Sequence, residues 1–134
     1  MAAIDWANVQ QRLEWEATPP RSPNSVPLDA VGGHEGSKEF RATRPWGALD
    51  IANMRGITTR LHWTDAPYHW HVNDGEEVFA VLDGRVEMCV KENGHERSVV
   101  LETGDVFFAS AGTEHVARPI GEARVLVVET EGSV

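Results

Sequence analysis

The sequence predicts an all-β domain, a sandwich or barrel built from short strands. Three observations carry that expectation. From Lys38 onward, short apolar runs recur with glycine-bearing turns between them. Leu82-Asp83-Gly84-Arg85 and Glu92-Asn93-Gly94-His95 read as hairpin turns. His69 and His71 flank Trp70. That spacing sets two imidazoles on one face of a strand, whereas a helix would turn them roughly 200° apart.

In chain order, residues 5–16 predict a short helix, because Trp6, Val9 and Leu13 share a helical face. Asp5 can cap it, with Ile4 and Val9 as a hydrophobic staple, and Pro19-Pro20 ends it. Residues 18–37 hold four prolines and three glycines and read as a loop or arm. The expected division is therefore an N-terminal helix and arm over 1–37 and one barrel domain over 38–134. Strands are expected at about 38–43, 48–54, 57–64, 67–72, 77–83, 85–91, 97–102, 105–109, 113–118 and 123–130.

A chain of 134 residues is the size of one domain and can bury a core without staples. Its single cysteine, Cys89, excludes an internal disulfide. No apolar stretch approaches the ~20 residues that span a bilayer. The N-terminus has no basic region and an early Asp5, so no secretory signal is read, and a cytoplasmic location is expected. A net charge of −9 argues against a nucleic-acid partner. It leaves small molecules and metal cations open.

Two motifs carry the chemistry. The first runs from His69-Trp70-His71 through Glu77 to Gly84, and the second from Gly104 to His115. Both resemble the paired motifs of the cupin superfamily, and the strand pattern extends the likeness over roughly residues 40–130. This resemblance implies a double-stranded β-helix, a jelly-roll barrel, with one divalent metal per chain held by His69, His71, Glu77 and His115. The donor set suits Fe, Ni, Mn, Zn or Cu. The chain departs from the motifs in places. Five residues separate His71 from Glu77, one or two more than the pattern has. Ser110 stands at the motif's proline, Pro119 at its final Asn, and Asp65 near its opening Gly. The longer spacing leaves Glu76 as a rival ligand. Glu77 is preferred because it keeps the motif's distance to Gly84, and a hairpin loop at Asp74-Gly75 absorbs an insertion more easily than a paired strand does. Gly84, Gly104 and Gly112 are expected in turns at positive φ, with Asp105 fixing one of them.

Thr58, Arg60, His62 and Thr64 share one face of their strand. That face either meets solvent or lines the pocket, where His62 or Arg60 would contact an anionic substrate. Phe79, Val81, Phe107 and Val127 are expected to line the barrel. Tyr68 should point away from His69. Trp46, Trp63 and Trp70 are expected in core or interface, and Cys89 as a half-buried, unactivated thiol. The candidate bases are few: His62, Tyr68, Glu87 and Glu114.

The resemblance covers many activities, so it does not name a reaction. The first expectation is a small-molecule enzyme of isomerase, lyase or cyclase type. There a divalent metal would act as Lewis acid on a hydroxy-carbonyl or carboxylate substrate. The alternatives are an Fe(II)-dependent dioxygenase and a non-catalytic binding or sensing barrel. Five tryptophans and the proline-rich arm suggest a homodimer.

Overall fold

The computed structural model describes residues 33–34 and 36–133. The helix expected over 5–16, and the arm as far as residue 32, lie outside the described residues. A 3₁₀ turn, Ser37–Glu39, precedes nine strands: β1 (Gly47–Asn53), β2 (Ile57–Thr64), β3 (His71–Val72), β4 (Glu77–Asp83), β5 (Val86–Glu92), β6 (His95–Leu101), β7 (Val106–Ala109), β8 (Glu114–Pro119) and β9 (Ala123–Thr130). They form two antiparallel sheets, β1-β2-β9-β4-β7 and β3-β8-β5-β6. This is the all-β barrel that the turn spacing predicts.

Three local expectations are corrected. Residues 38–43 form no strand. The 3₁₀ turn takes their start, and Arg124 then ties down the Phe40 carbonyl from β9 at 3.1 Å. The strand expected over 67–72 shrinks to His71–Val72. The turn at Leu82–Arg85 is not a hairpin, because β4 pairs with β7 and β9 while β5 pairs with β6 and β8. It carries the chain between sheets. Gly84 is needed there: its φ is 79°, and a Cβ would run into the Glu122 carbonyl. The Asn93-Gly94 turn is a true hairpin, with both residues at positive φ, as a two-residue loop matching strand twist requires. Gly104 and Gly112 also adopt positive φ, and Asp105 accepts from the Glu102 amide at 2.8 Å, so its role is in the turn.

The core lies between the sheets. Alternate residues of β5 (Val86, Met88, Val90) meet Phe79 and Val81 of β4 and Val125 and Val127 of β9. Each such side chain contributes about 1.5–3 kcal/mol by leaving water. β2 is buried on one face and largely half-buried on the other. Leu61 and Trp63 are buried on one, while Arg60 and His62 line the cavity on the other, with Thr58 half-buried and Thr64 buried, so the polar face turns to the cavity and not outward. Among the described residues no helix is long and apolar enough to cross a membrane.

Candidate metal centre

Three side chains from three strands converge inside the barrel. His71 of β3 lies opposite His115 of β8 in the ladder, with ring centroids 4.3 Å apart. Glu77 opens β4 with its side chain on the inner face, and its Oε1 stands 3.0 Å from His115 Nε2. One ligand atom from each residue lies within 4.8 Å of the others. His115 and Glu77 are only 2% and 5% exposed, whereas neighbouring Glu76 is exposed.

Both imidazoles are oriented from behind. His71 Nδ1 lies 3.0 Å from the His69 carbonyl, and His115 Nδ1 lies 3.3 Å from the Thr113 carbonyl. A carbonyl only accepts, so Nδ1 of His71 carries the hydrogen and its Nε2 keeps a lone pair in the neutral ring. His115 has an acceptor on each side, the Thr113 carbonyl at Nδ1 and the Glu77 carboxylate at Nε2; with a metal between Nε2 and Glu77, its hydrogen would belong on Nδ1. Outer hydrogen bonds of this kind fix tautomer and ring plane in metal-ligating histidines. Burial holds His71 below the usual imidazole range, although its bond to the His69 carbonyl works the other way. Two imidazoles and a carboxylate, aimed at one point, fit a divalent transition metal.

The fourth expected ligand is not brought in. His69 is exposed and its ring stacks on Tyr68 at 4.1 Å. The cause is a register slip. A ladder continued from His71 and His115 would set His69 opposite Ala117, but the Tyr68 amide donates to the Ala117 carbonyl at 2.9 Å instead. One extra residue is thereby taken up between Tyr68 and His71, as in a β-bulge. Tyr68 occupies the inward position and lines the cavity, contrary to the expectation that it points away. The period-two argument fails for His69 because His69 lies before the two-residue strand.

A cavity of about 230 Å³ opens onto the cluster, and Arg60, His62 and Phe79 also line it. Arg60 Nε donates to Asp50 at 3.2 Å. His62 Nδ1 lies 3.0 Å from the Trp46 carbonyl, and burial, helped by the Arg60 charge, brings its pKa down to about 4. Other candidates lie elsewhere. Val81 is fully buried in the core, one alternation beyond Phe79 along β4. Phe107 packs against that core, 6.1 Å from the His115 ring, and does not line the cavity. Glu87 faces Arg118 on the opposite face of β5 from the core, at 3.9 Å, so it cannot serve as a base here. Cys89 is fully buried rather than half-buried, and burial pushes its thiol up.

Several cavity residues escaped the sequence reading, Glu129 and Trp46 among them. Glu129 stands opposite Glu77 across the β4–β9 ladder. Burial, then its hydrogen bond to Glu77, pushes its pKa up to about 8, so at neutral pH it is protonated and donates to Glu77. Burial alone would raise Glu77 too. The hydrogen bonds from His115 and Glu129 outweigh that and hold it below the usual carboxylate range. A carboxyl in phase with Val125 and Val127 was the available signal. Trp46 lines the cavity instead of only filling core. Trp63 does fill core, and Trp70 lies under the Lys91 ammonium at 4.2 Å.

Residues 61–129 match the family model described as Cupin domain. Bovine (Bos taurus) 3-hydroxyanthranilate 3,4-dioxygenase is 37% identical over 60 residues, which are 45% of this chain and 21% of that protein. The match thus spans about a fifth of the length of that relative. A cupin-2 domain protein from Shewanella frigidimarina superposes with a TM-score of 0.60 at 22% identity, covering 67% of this chain and 85% of that one. Hydroxypropylphosphonic acid epoxidase from S. wedmorenis superposes at 0.52 and 19% identity, over 62% and 50% of the two chains. At these identities the structural likenesses speak for the fold.

Proposed function

This chain belongs to the cupin domain family, and on that premise we propose that it is a mononuclear metal enzyme of the non-haem iron(II) dioxygenase type. One observation carries the reading: two histidines, each held through Nδ1 by a backbone carbonyl, meet one buried carboxylate at a single point. Two histidines and one carboxylate with open positions are the ligand set of non-haem iron oxygenases. Iron(II) held there would supply a Lewis-acid centre for a chelating substrate and electrons for dioxygen.

The protein's own residues would do the rest. His71, Glu77 and His115 hold the ion, and protonated Glu129 keeps the Glu77 carboxylate oriented. The aromatic rings of Trp46 and Phe79 exclude water around a flat substrate, with Arg60, held from behind by Asp50, at the wall to meet an acidic group. The bovine relative's substrate, a ring with carboxylate, hydroxyl and amine groups, matches that combination of features in kind. The test is oxygen uptake by anaerobically reconstituted iron(II) protein given 3-hydroxyanthranilate and related ring acids. Uptake that disappears in Glu77→Gln supports the reading. Turnover without oxygen uptake overturns it in favour of Lewis-acid isomerase or lyase chemistry. That second reading draws support from Glu129 and His62, a neutral acid and a neutral base in the same cavity.

The homodimer remains part of this proposal. Phe108 and Val106 of edge strand β7 are 61% and 62% exposed, beside Val78 of β4, and this apolar patch would be covered by a second copy. Light scattering should give about twice the 14.8 kDa chain mass; a monomer at micromolar concentration would refute it.

A further inference from the structure

The cavity has a second wall, to which the dioxygenase reading gives no more than the exclusion of water. It begins with the turn Arg44-Pro45-Trp46-Gly47, closed by the Gly47 amide donating to the Arg44 carbonyl at 3.2 Å. Proline second and a positive-φ residue third is the pattern of a type II turn, and the third position ordinarily takes glycine. Here Trp46 takes it at φ 62°, a conformation that bulky side chains rarely adopt. An outlier of this kind persists only where its surroundings hold it, and it gathers at ligand sites. Its surroundings are visible. The indole Nε1 donates to the Ala66 carbonyl at 2.8 Å, the indole sits edge-on to His62 and Tyr68, and the ring lines the cavity.

The same turn orients His62. The Trp46 carbonyl accepts from His62 Nδ1–H at 3.0 Å, and the indole at 6.0 Å sets the ring plane. The remaining nitrogen, Nε2, is a bare acceptor on a cavity-lining side chain. His62 lies on β2, and β9 separates β2 from the Glu77 strand β4. Through those ladders His62 stands opposite Val125 and Val81, four residues along from Glu77, so two strand spacings across and four residues along put its backbone roughly 16 Å from that of the carboxylate ligand. Both side chains reach into the same cavity of about 230 Å³, where a single aromatic ring chelated at the metal would lie between them.

We propose that His62 and Trp46 form a recognition subsite for a single-ring ligand that chelates the metal through one edge and carries an O–H or N–H donor on the opposite edge. His62 Nε2 accepts from that donor, and the Trp46 indole packs against the ring. This subsite rests on the metal-centre reading above. It makes His62 a specificity-determining residue, and the positive φ at Trp46 is what delivers both the carbonyl and the indole. Because His62 stays neutral through the physiological range, it selects a donor and gains nothing from an anion at that edge.

The test uses zinc-loaded, redox-inert protein and calorimetric titration with 2-hydroxybenzoate, 2,4- and 2,5-dihydroxybenzoate, and the methyl ethers of their distal hydroxyls. All chelate through carboxylate and adjacent phenolate; only the dihydroxy acids offer a distal donor. At least one dihydroxy acid should bind about fivefold tighter than 2-hydroxybenzoate and than its own methyl ether. His62→Phe should erase that preference without changing zinc affinity or 2-hydroxybenzoate binding, and His62→Gln, which restores an acceptor, should recover part of it. Equal binding of hydroxyl and methyl ether by the wild type overturns the subsite without need of any variant. So does a full preference retained in His62→Phe. Failure to take up zinc would bring down the metal reading itself, and the subsite with it.

Discussion

The two sides of the site are built by different means. Glu77 and Glu129 come from β4 and β9, which pair in regular register from Glu77 to Val81, and the partner of β9 on its other side, β2, pairs without interruption along its whole length. On that side, counting residues by twos predicts every inward side chain. On the other side, His71 comes from a strand of two residues, and a slip of one residue separates it from Tyr68. There the same counting puts His69 inside, whereas the slip leaves it outside. A periodic rule holds only as far as its ladder does. The candidate metal ligands are therefore positioned by pairing, and the H-x-H spacing alone does not suffice.

The largest expected effect tests that contrast directly. His115→Ala and Glu77→Gln should each weaken metal affinity by more than about 100-fold, since loss of a ligand should exceed the effect of losing an outer partner. His69→Ala should cost less than about tenfold, because His69 supports His71 through its backbone carbonyl and not its ring. Competition with a chelator of known affinity measures all three. A loss in His69→Ala equal to that in His115→Ala would mean that the exposed ring swings in to complete the four-ligand set that the motif implies.

A smaller effect separates two groups on the regular side. In metal-free protein, His62 titrates in the folded state at about 4, below its unfolded value near ~6.5. Between those values the unfolded chain binds the extra proton, so stability is lost as pH falls through that window, by at most about 3 kcal/mol. Glu129 slopes the other way. Its folded value of about 8 lies above the ordinary carboxyl range, so the folded state keeps a proton that the unfolded chain releases, and stability falls as pH rises towards 8. The two partly cancel in wild type between about 4.5 and 6.5. Urea melts with chelator present should show His62→Gln gaining on wild type as pH falls, and Glu129→Gln gaining as pH rises. Variants that track wild type across the whole range would mean that neither group is held as its surroundings imply.

How far the site could be read from the sequence follows the same division. Strand positions from β4 to β9 were legible because glycine turns bound them and alternate apolar residues mark the inner face. The two motifs pointed to His71, Glu77 and His115. Glu129 was not recognised, since its meeting with Glu77 depends on β9 lying beside β4, and that is a fact of topology. Trp46 was not recognised either: a tryptophan in the glycine position of a type II turn runs against turn preference, and only the assembled barrel shows what it faces. The Leu82–Arg85 turn carries hairpin residues and makes a crossover, because residues at a turn set its local bend and not the sheet its next strand joins.

The smallest effect concerns Glu76, and it is the sharpest check on register. Glu76 and Glu77 are adjacent, so a slip of one residue in β4 would exchange their faces. The ladder pairs Glu77 with Ala109 and with Glu129, which turns Glu76 out to solvent. An exposed carboxylate one residue from the site attracts a cation only through water. At 0.1 M salt that attraction is screened over about 10 Å. Glu76→Gln should therefore change metal affinity by less than about twofold, and raising the salt concentration should shrink even that difference. Glu77→Gln should stay severe at any salt, because its oxygen is buried beside His115. If Glu76→Gln proves the more damaging of the two, β4 runs one residue out of the register that pairs Glu77 with Glu129, and the carboxylate ligand is Glu76.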